Sequence, residues 1–154
     1  MAVNGRAYDW ESLEIRFPHG ALINVDAIEY EDELGATSVY GKGVKPRSYG
    51  RGRYSAKGKV TLLREEYNAM MAHVDVVNAT RALQGKPRLG VLTLPPFPVV
   101  CAYANDDKAT VVDTLPECQF TSQKTGLKEG DEASKVELEI VCYSPILWNG
   151  RPAC

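Results

Sequence analysis

The sequence predicts a mainly β protein: a single antiparallel β-barrel or sandwich domain of about seven strands, with one α-helix packed on its flank. Three observations carry that expectation. Apolar residues alternate with polar ones, most cleanly at Tyr54, Ala56, Gly58, Val60 and Leu62 and again at Val136, Leu138, Ile140 and Cys142. The spacing changes to i, i+3, i+4, i+7 only once, at Tyr67, Met70, Met71 and Val74. Gly, Pro, Asn and Asp punctuate the segments, and there is no repeat, linker or low-complexity tract. At 154 residues the chain, 1–154, fits one domain that buries roughly 70% of its unfolded surface without a disulfide.

The elements follow in order. Leu13, Ile15 and Phe17 share a face against Glu14 and Arg16, a half-buried strand ended by the turn Pro18-His19-Gly20. Ala21, Ile23 and Val25 hold one parity, Ile28 and Tyr30 the other, so a β-bulge is expected near Asp26-Ala27. Residues 35–53 read as a long Gly/Arg-rich loop. The strand through Tyr54–Leu62 follows, then a helix over about 64–74 whose acidic first turn, Glu65-Glu66, complements the helix dipole. A weaker helical stretch extends to Leu83 and stops at Gly85-Lys86-Pro87. Met70 and Met71 are expected in the core. Phe97–Ala104 is apolar on both faces, the pattern of a strand covered on both sides. Ala109–Thr114 and the run Cys118, Phe120, Ser122 are further strands; a turn through Gly126–Asp131 leads into the last.

The net charge of −2, from 18 basic and 20 acidic residues, predicts no polyanion partner for the chain as a whole. The charges are nevertheless sorted. Between Gly35 and Arg64 stand eight basic residues and no acid, and Asp26–Leu34 holds five acids and no base. Adjacent blocks of opposite sign suit a subunit whose acidic patch meets the basic arm of an identical neighbour. The alternative is a small β-barrel module for single-stranded nucleic acid, with Tyr49, Tyr54, Arg51 and Arg53 as stacking and phosphate contacts. Against it, the neighbouring acids would repel a phosphate backbone.

No catalytic motif is present. Gly58-Lys59 lacks the upstream glycine and the following Ser/Thr of a P-loop, and Gly50-Arg51-Gly52 precedes a strand where a dinucleotide fingerprint needs a helix. His19 and His73 have no nearby nucleophile, and the adjacent pairs Glu65-Glu66 and Asp106-Asp107 read as solvated surface. Cys101, Cys118, Cys142 and Cys154 lie 17, 24 and 12 residues apart, without the close pairing a zinc site needs. No cofactor or metal is expected, and the first three cysteines read as buried thiols. The N-terminal residues lack the apolar stretch of a signal peptide, so folding in the cytosol is expected.

Two stretches resemble the tail tube proteins of contractile-tailed bacteriophages, related in fold to the type VI secretion tube. One is Gly41-Lys42-Gly43 and Pro46 through Leu62, followed by the helix beginning Glu65-Glu66-Tyr67-Asn68-Ala69-Met70. The other is Gln119 through Ile140, with its Lys128-Glu129-Gly130-Asp131 turn before an alternating final strand. The resemblance implies six-subunit rings, joined edge to edge around a channel and stacked into a tube that conducts DNA inside a contractile sheath. Implied partners are further copies of the chain, a tail sheath protein and baseplate or terminator proteins. The implied location is the virion tail, assembled in the bacterial cytoplasm. In that setting the loop reaches a neighbouring subunit and the next ring, with Lys42, Lys45, Arg47, Tyr49, Arg51 and Arg53 meeting an acidic face of Glu29, Glu31, Asp32 and Glu33. Cys154, at the chain end, could cross-link to Cys101 or Cys118 of an adjacent subunit in an oxidising medium, or stay an unpaired thiol.

Overall fold

Burial alternates where the sequence alternates. In the strand Lys135–Cys142, Val136, Leu138, Ile140 and Cys142 are buried while Glu137 and Glu139 face outward. A computed structural model describes residues 5, 7–22, 24–106, 108–130 and 133–153. Its elements are β1 (Leu13–Phe17), β2 (Gly20–Ala21), β3 (Val25–Tyr40), β4 (Pro46–Leu63), α1 (Arg64–Leu83), β5 (Phe97–Asn105), β6 (Lys108–Gly126), β7 (Lys135–Cys142), β8 (Leu147–Trp148) and β9 (Arg151–Pro152). The nine strands form one antiparallel sheet in the order β2-β1-β5-β6-β7-β4-β3, with β8 added on β6 and β9 on β8. Three of them, β2, β8 and β9, are two residues long; the other six account for the seven expected, two of which are merged in β6.

The sheet curls around one core without closing its backbone. Val60, Leu62, Val99, Leu115, Leu138 and Ile146 are fully buried, and Phe17, Phe97 and Phe120 pack as a ring cluster with centroids 4.9–6.2 Å apart. Helix α1 lies against β4 and β7 and contributes Tyr67, Met70 and Val74 to that core. It runs ten residues or so beyond the strongest periodicity because Ala72, Ala79 and Ala82 favour helix without marking a face. Asn78 fastens the second half: its amide donates to Leu89 O and accepts from Leu89 N–H, both at 2.8 Å. Met71, expected in the core, is on the outer side of the helix.

The bulge predicted near Asp26-Ala27 is present as a register shift between Val25 and Ala27. Ala109–Thr114 and the Cys118 run are one continuous strand, β6, and Pro116 falls where the β5–β6 register slips, the position in a sheet that tolerates a missing N–H. Strand β5 is covered on one side only. Phe97, Val99 and Cys101 are buried, but Pro98 and Ala104 on the other face are exposed.

The largest departure is at 35–53. This segment is no loop: β3 and β4 continue through it as a ladder from Ala36↔Arg51 to Tyr40↔Pro46, turning at 41–45, where Gly43 takes φ +117°. Alternate glycines and cations lack the apolar spacing that marks a strand, so only the long-range pairing reveals it.

Gly58 has a packing role. A Cβ there would lie 2.8 Å from the carbonyl oxygen of Glu29 on the paired strand. Gly58→Ala is expected to destabilise the fold by about 1–3 kcal/mol through forced separation of β3 and β4, read as a lower denaturation midpoint. An unchanged midpoint would show that the strands part freely.

Candidate functional site

The base of the hairpin is held by a half-buried polar latch around the buried Asp113. The Tyr30 hydroxyl, on β3, donates to the Asp113 carboxylate, on β6, and lies 2.6 Å from the hydroxyl of Tyr103, on β5. Asp113 also accepts from the Asn149 backbone N–H at 3.0 Å, and the Trp148 ring packs 5.2 Å from that of Tyr30. Side chains thus join sheet positions that no backbone ladder connects. Burial, and then the hydrogen bonds to Asp113 and Tyr103, push the Tyr30 phenol above its ordinary value of 10.0. Burial, then the Asp113 charge, pushes Cys101 up to about 12.

The latch has a signature in alkali. A phenol whose titration is raised by folding adds stability in full below the unfolded value near 10 and loses it progressively as pH climbs above that value. Denaturation midpoints should therefore fall above about pH 10, and Tyr30→Phe should flatten that decline. Parallel curves for the two proteins would exclude Tyr30 as the titrating group.

Above the latch, the acidic strand and the basic strand pair with each other. Glu29 stands opposite Lys59, Glu31 opposite Lys57 and Glu33 opposite Ser55, all symmetric about Val44. Glu31 and Lys57 approach to 3.2 Å, Glu33 accepts from the Ser55 hydroxyl at 3.2 Å, and Asp26 pairs with Lys135 of β7 at 3.2 Å. Asp32 accepts from the Tyr54 hydroxyl at 2.8 Å and from Trp148 Nε1 at 3.0 Å. The charge sorting thus has a local cause over this stretch, since an antiparallel hairpin sets opposite charges face to face. The equal offsets about Val44 are the signal in the sequence that could have revealed it. Exposed pairs of this kind contribute about 0–1 kcal/mol each, so they leave the acids available to another cation at small cost.

The outer hairpin has no such compensation. Beyond Ser55, among the described residues, β4 pairs with β3 alone, giving a two-stranded ribbon that leaves the sheet. It carries Lys42, Lys45, Arg47, Arg51 and Arg53 with no acid from Gly35 to Arg53. Arg47 donates to Lys42 O at 3.1 Å across the turn, and among the described residues Arg51 and Arg53 make no ion pair. Arg47, Tyr49 and Arg51 alternate with Ser48 and Gly50 and so share one face of the ribbon. Val39, Tyr40, Val44 and Tyr49 stand exposed beside them, Val44 at 92% and Tyr49 at 71%. A lone ribbon of this kind is marginal in water.

The remaining candidates fall elsewhere. Glu66 is buried, contrary to its reading as solvated surface: it bonds His19 Nε2 at 3.0 Å and the Asn24 backbone N–H at 3.3 Å, tying the β1–β2 turn to the start of α1. Cys101 and Cys118 are fully buried and offer a neighbour no surface, and Cys154 lies outside the described residues. Among the described residues no three His, Cys, Asp or Glu side chains gather to hold a metal ion. A depression of about 350 Å³ on the outer face, between Glu29, Glu31, Lys57, Lys59 and Glu139, mixes both signs of charge.

No protein-family model and no curated protein sequence matches this chain. Solved structures do match it in fold. One is the tube-terminating cap of the anti-feeding prophage, at TM-score 0.64 and 8% identity, covering 92% of this chain and 90% of that one. Another is a chain of the sheath–tube complex of the extracellular contractile injection system PVC in its extended state, at TM-score 0.60 and 9% identity, covering 91% and 89%. A third is a chain of the tail of an empty gene transfer agent particle, solved with C6 symmetry, at TM-score 0.52 and 10% identity, covering 92% and 98%. Across nearly its whole length, the chain has the fold of tail-tube-like proteins.

Proposed function

We propose that this protein is a non-catalytic structural subunit of a bacteriophage tail tube. Copies join in six-subunit rings that stack around a channel conducting DNA, within a virion tail that also holds a sheath, a baseplate and a terminator. The observation that carries the reading is the ribbon at 35–53: five uncompensated cations and four exposed apolar side chains project from the sheet, and none of the described residues covers them. A neighbouring copy supplies what the ribbon lacks, because Glu29, Glu31, Asp32 and Glu33 form an acidic strand on every subunit. The C6 symmetry of the gene transfer agent tail and the tube context of the other matched structures support the ring and the stack. Ring closure also pairs sheet edges without open-ended lateral growth.

Electron microscopy of the purified full chain, without nucleic acid, tests the proposal. Rings or tubes are expected. Discrete monomers that bind single-stranded oligonucleotides with a steep salt dependence would replace it with the nucleic-acid-binding reading, for which the Arg47, Tyr49 and Arg51 face is the platform.

A further inference from the structure

Two of the buried cysteines face each other across adjacent strands. Cys118 of β6 and Cys142 of β7 are register partners, and their sulfurs are 3.3 Å apart. One step along the ladder, the Tyr143 N–H donates to Glu117 O at 2.8 Å. Hydrogen-bonded and non-hydrogen-bonded pairs alternate along an antiparallel ladder, so Cys118 and Cys142 occupy a non-hydrogen-bonded position, where opposed Cα atoms lie about 4.5 Å apart and side chains are closest. That separation falls within the roughly 4.4–6.8 Å that a disulfide spans, so bonding requires rotation of the two side chains and no shift of the strands.

We propose that Cys118 and Cys142 are an oxidation site, forming an intrasubunit disulfide that staples β6 to β7 when the protein meets a small disulfide oxidant. The inference does not rest on the assembly reading. Cys142, at the end of β7, retains 7% exposure while Cys118 has none, so Cys142 is the sulfur an oxidant reaches first. The contact between the two sulfurs lowers the Cys142 thiol from its usual value, and the same contact, with burial, raises that of Cys118. The Cys142 thiolate attacks one sulfur of the oxidant, whose S–S bond breaks and releases a thiolate that takes up the Cys142 proton. Cys118, losing its proton, then attacks the Cys142 sulfur and expels the second thiol. Two protein thiols are oxidised by two electrons, and one oxidant disulfide is reduced to two thiols. The bond closes a loop across a separation of 24 residues, which restricts the unfolded chain.

The test is refolding of the full chain in a mixture of reduced and oxidised glutathione, so that access to the core does not decide the outcome, followed by alkylation under denaturing conditions and peptide mapping. The expected product is a peptide pair linked through Cys118 and Cys142. The oxidised protein should melt roughly 5–15 °C above the reduced one. Cys101→Ala should keep that gap and Cys142→Ala should lose it. Recovery of Cys118 and Cys142 both alkylated, or linked only to Cys101 or Cys154, would overturn the proposal. The wild-type map alone decides this, even if a variant fails to fold.

Discussion

Replacing Arg51 and Arg53 together by Glu is expected to abolish rings and tubes while leaving a folded monomer. Both side chains are exposed on the ribbon, and among the described residues neither has an ion-pair partner to lose. The melting temperature should therefore move by no more than an ordinary surface substitution, about 0.5 kcal/mol in stability. At a contact the effect is of another size. Each charge-assisted hydrogen bond to a carboxylate is worth roughly 1.5–3 kcal/mol, and reversing the charge replaces attraction with repulsion against the acidic strand. Two reversals per contact weaken association by about two to four orders of magnitude, repeated at every contact of a ring or stack. Unchanged assembly of the double variant would show that the ribbon is not the contact. Lys at both positions should retain assembly in part, since it keeps the charge and loses the fork that grips both carboxylate oxygens.

Asp113→Ala should clearly destabilise the fold. It removes the buried acceptor shared by the Tyr30 hydroxyl and the Asn149 backbone N–H, leaving Tyr30 only its contact with the Tyr103 hydroxyl and turning the Asn149 N–H toward solvent. Losing a hydrogen bond to a charged acceptor costs about 1.5–3 kcal/mol, which lowers the melting temperature of a chain this size by roughly 3–12 °C. Tyr30→Phe deletes one donor and keeps the packing on Trp148, so its cost should be nearer 1–2 kcal/mol. If Asp113→Ala melted like the wild type, the latch would be incidental and the sheet would be held by its apolar core alone. The hairpin springs from this base.

Which elements were legible depended on whether their determinants were local. Tyr54–Leu62 and Val136–Cys142 declared themselves because one face is buried in a shared core and the pleat sets a spacing of two. The bulge near Asp26-Ala27 was legible for the same reason: a parity change is local. The outer hairpin was not, since glycines and arginines between Gly41 and Arg53 give no apolar period, and its strands exist through pairing alone. The acidic and basic blocks were visible, but the local reason for half of their sorting is the symmetry of Glu31 with Lys57 about the turn. The latch and the Cys118–Cys142 pair lay beyond reach. Tyr30 and Asp113 are 83 residues apart and meet only because the sheet curls, while the cysteines, 24 apart, meet through strand register. Met71 shows the converse error, an apolar residue on a helix whose other positions, Tyr67, Met70 and Val74, already fill the interface.

Sedimentation velocity of the unaltered chain over a wide range of concentration bears most directly on self-assembly through the ribbon. Multi-subunit species that dissociate in high salt are expected, because the proposed contacts are between charges. A lone 16.9 kDa species persisting at the highest concentration, in low salt, would contradict it.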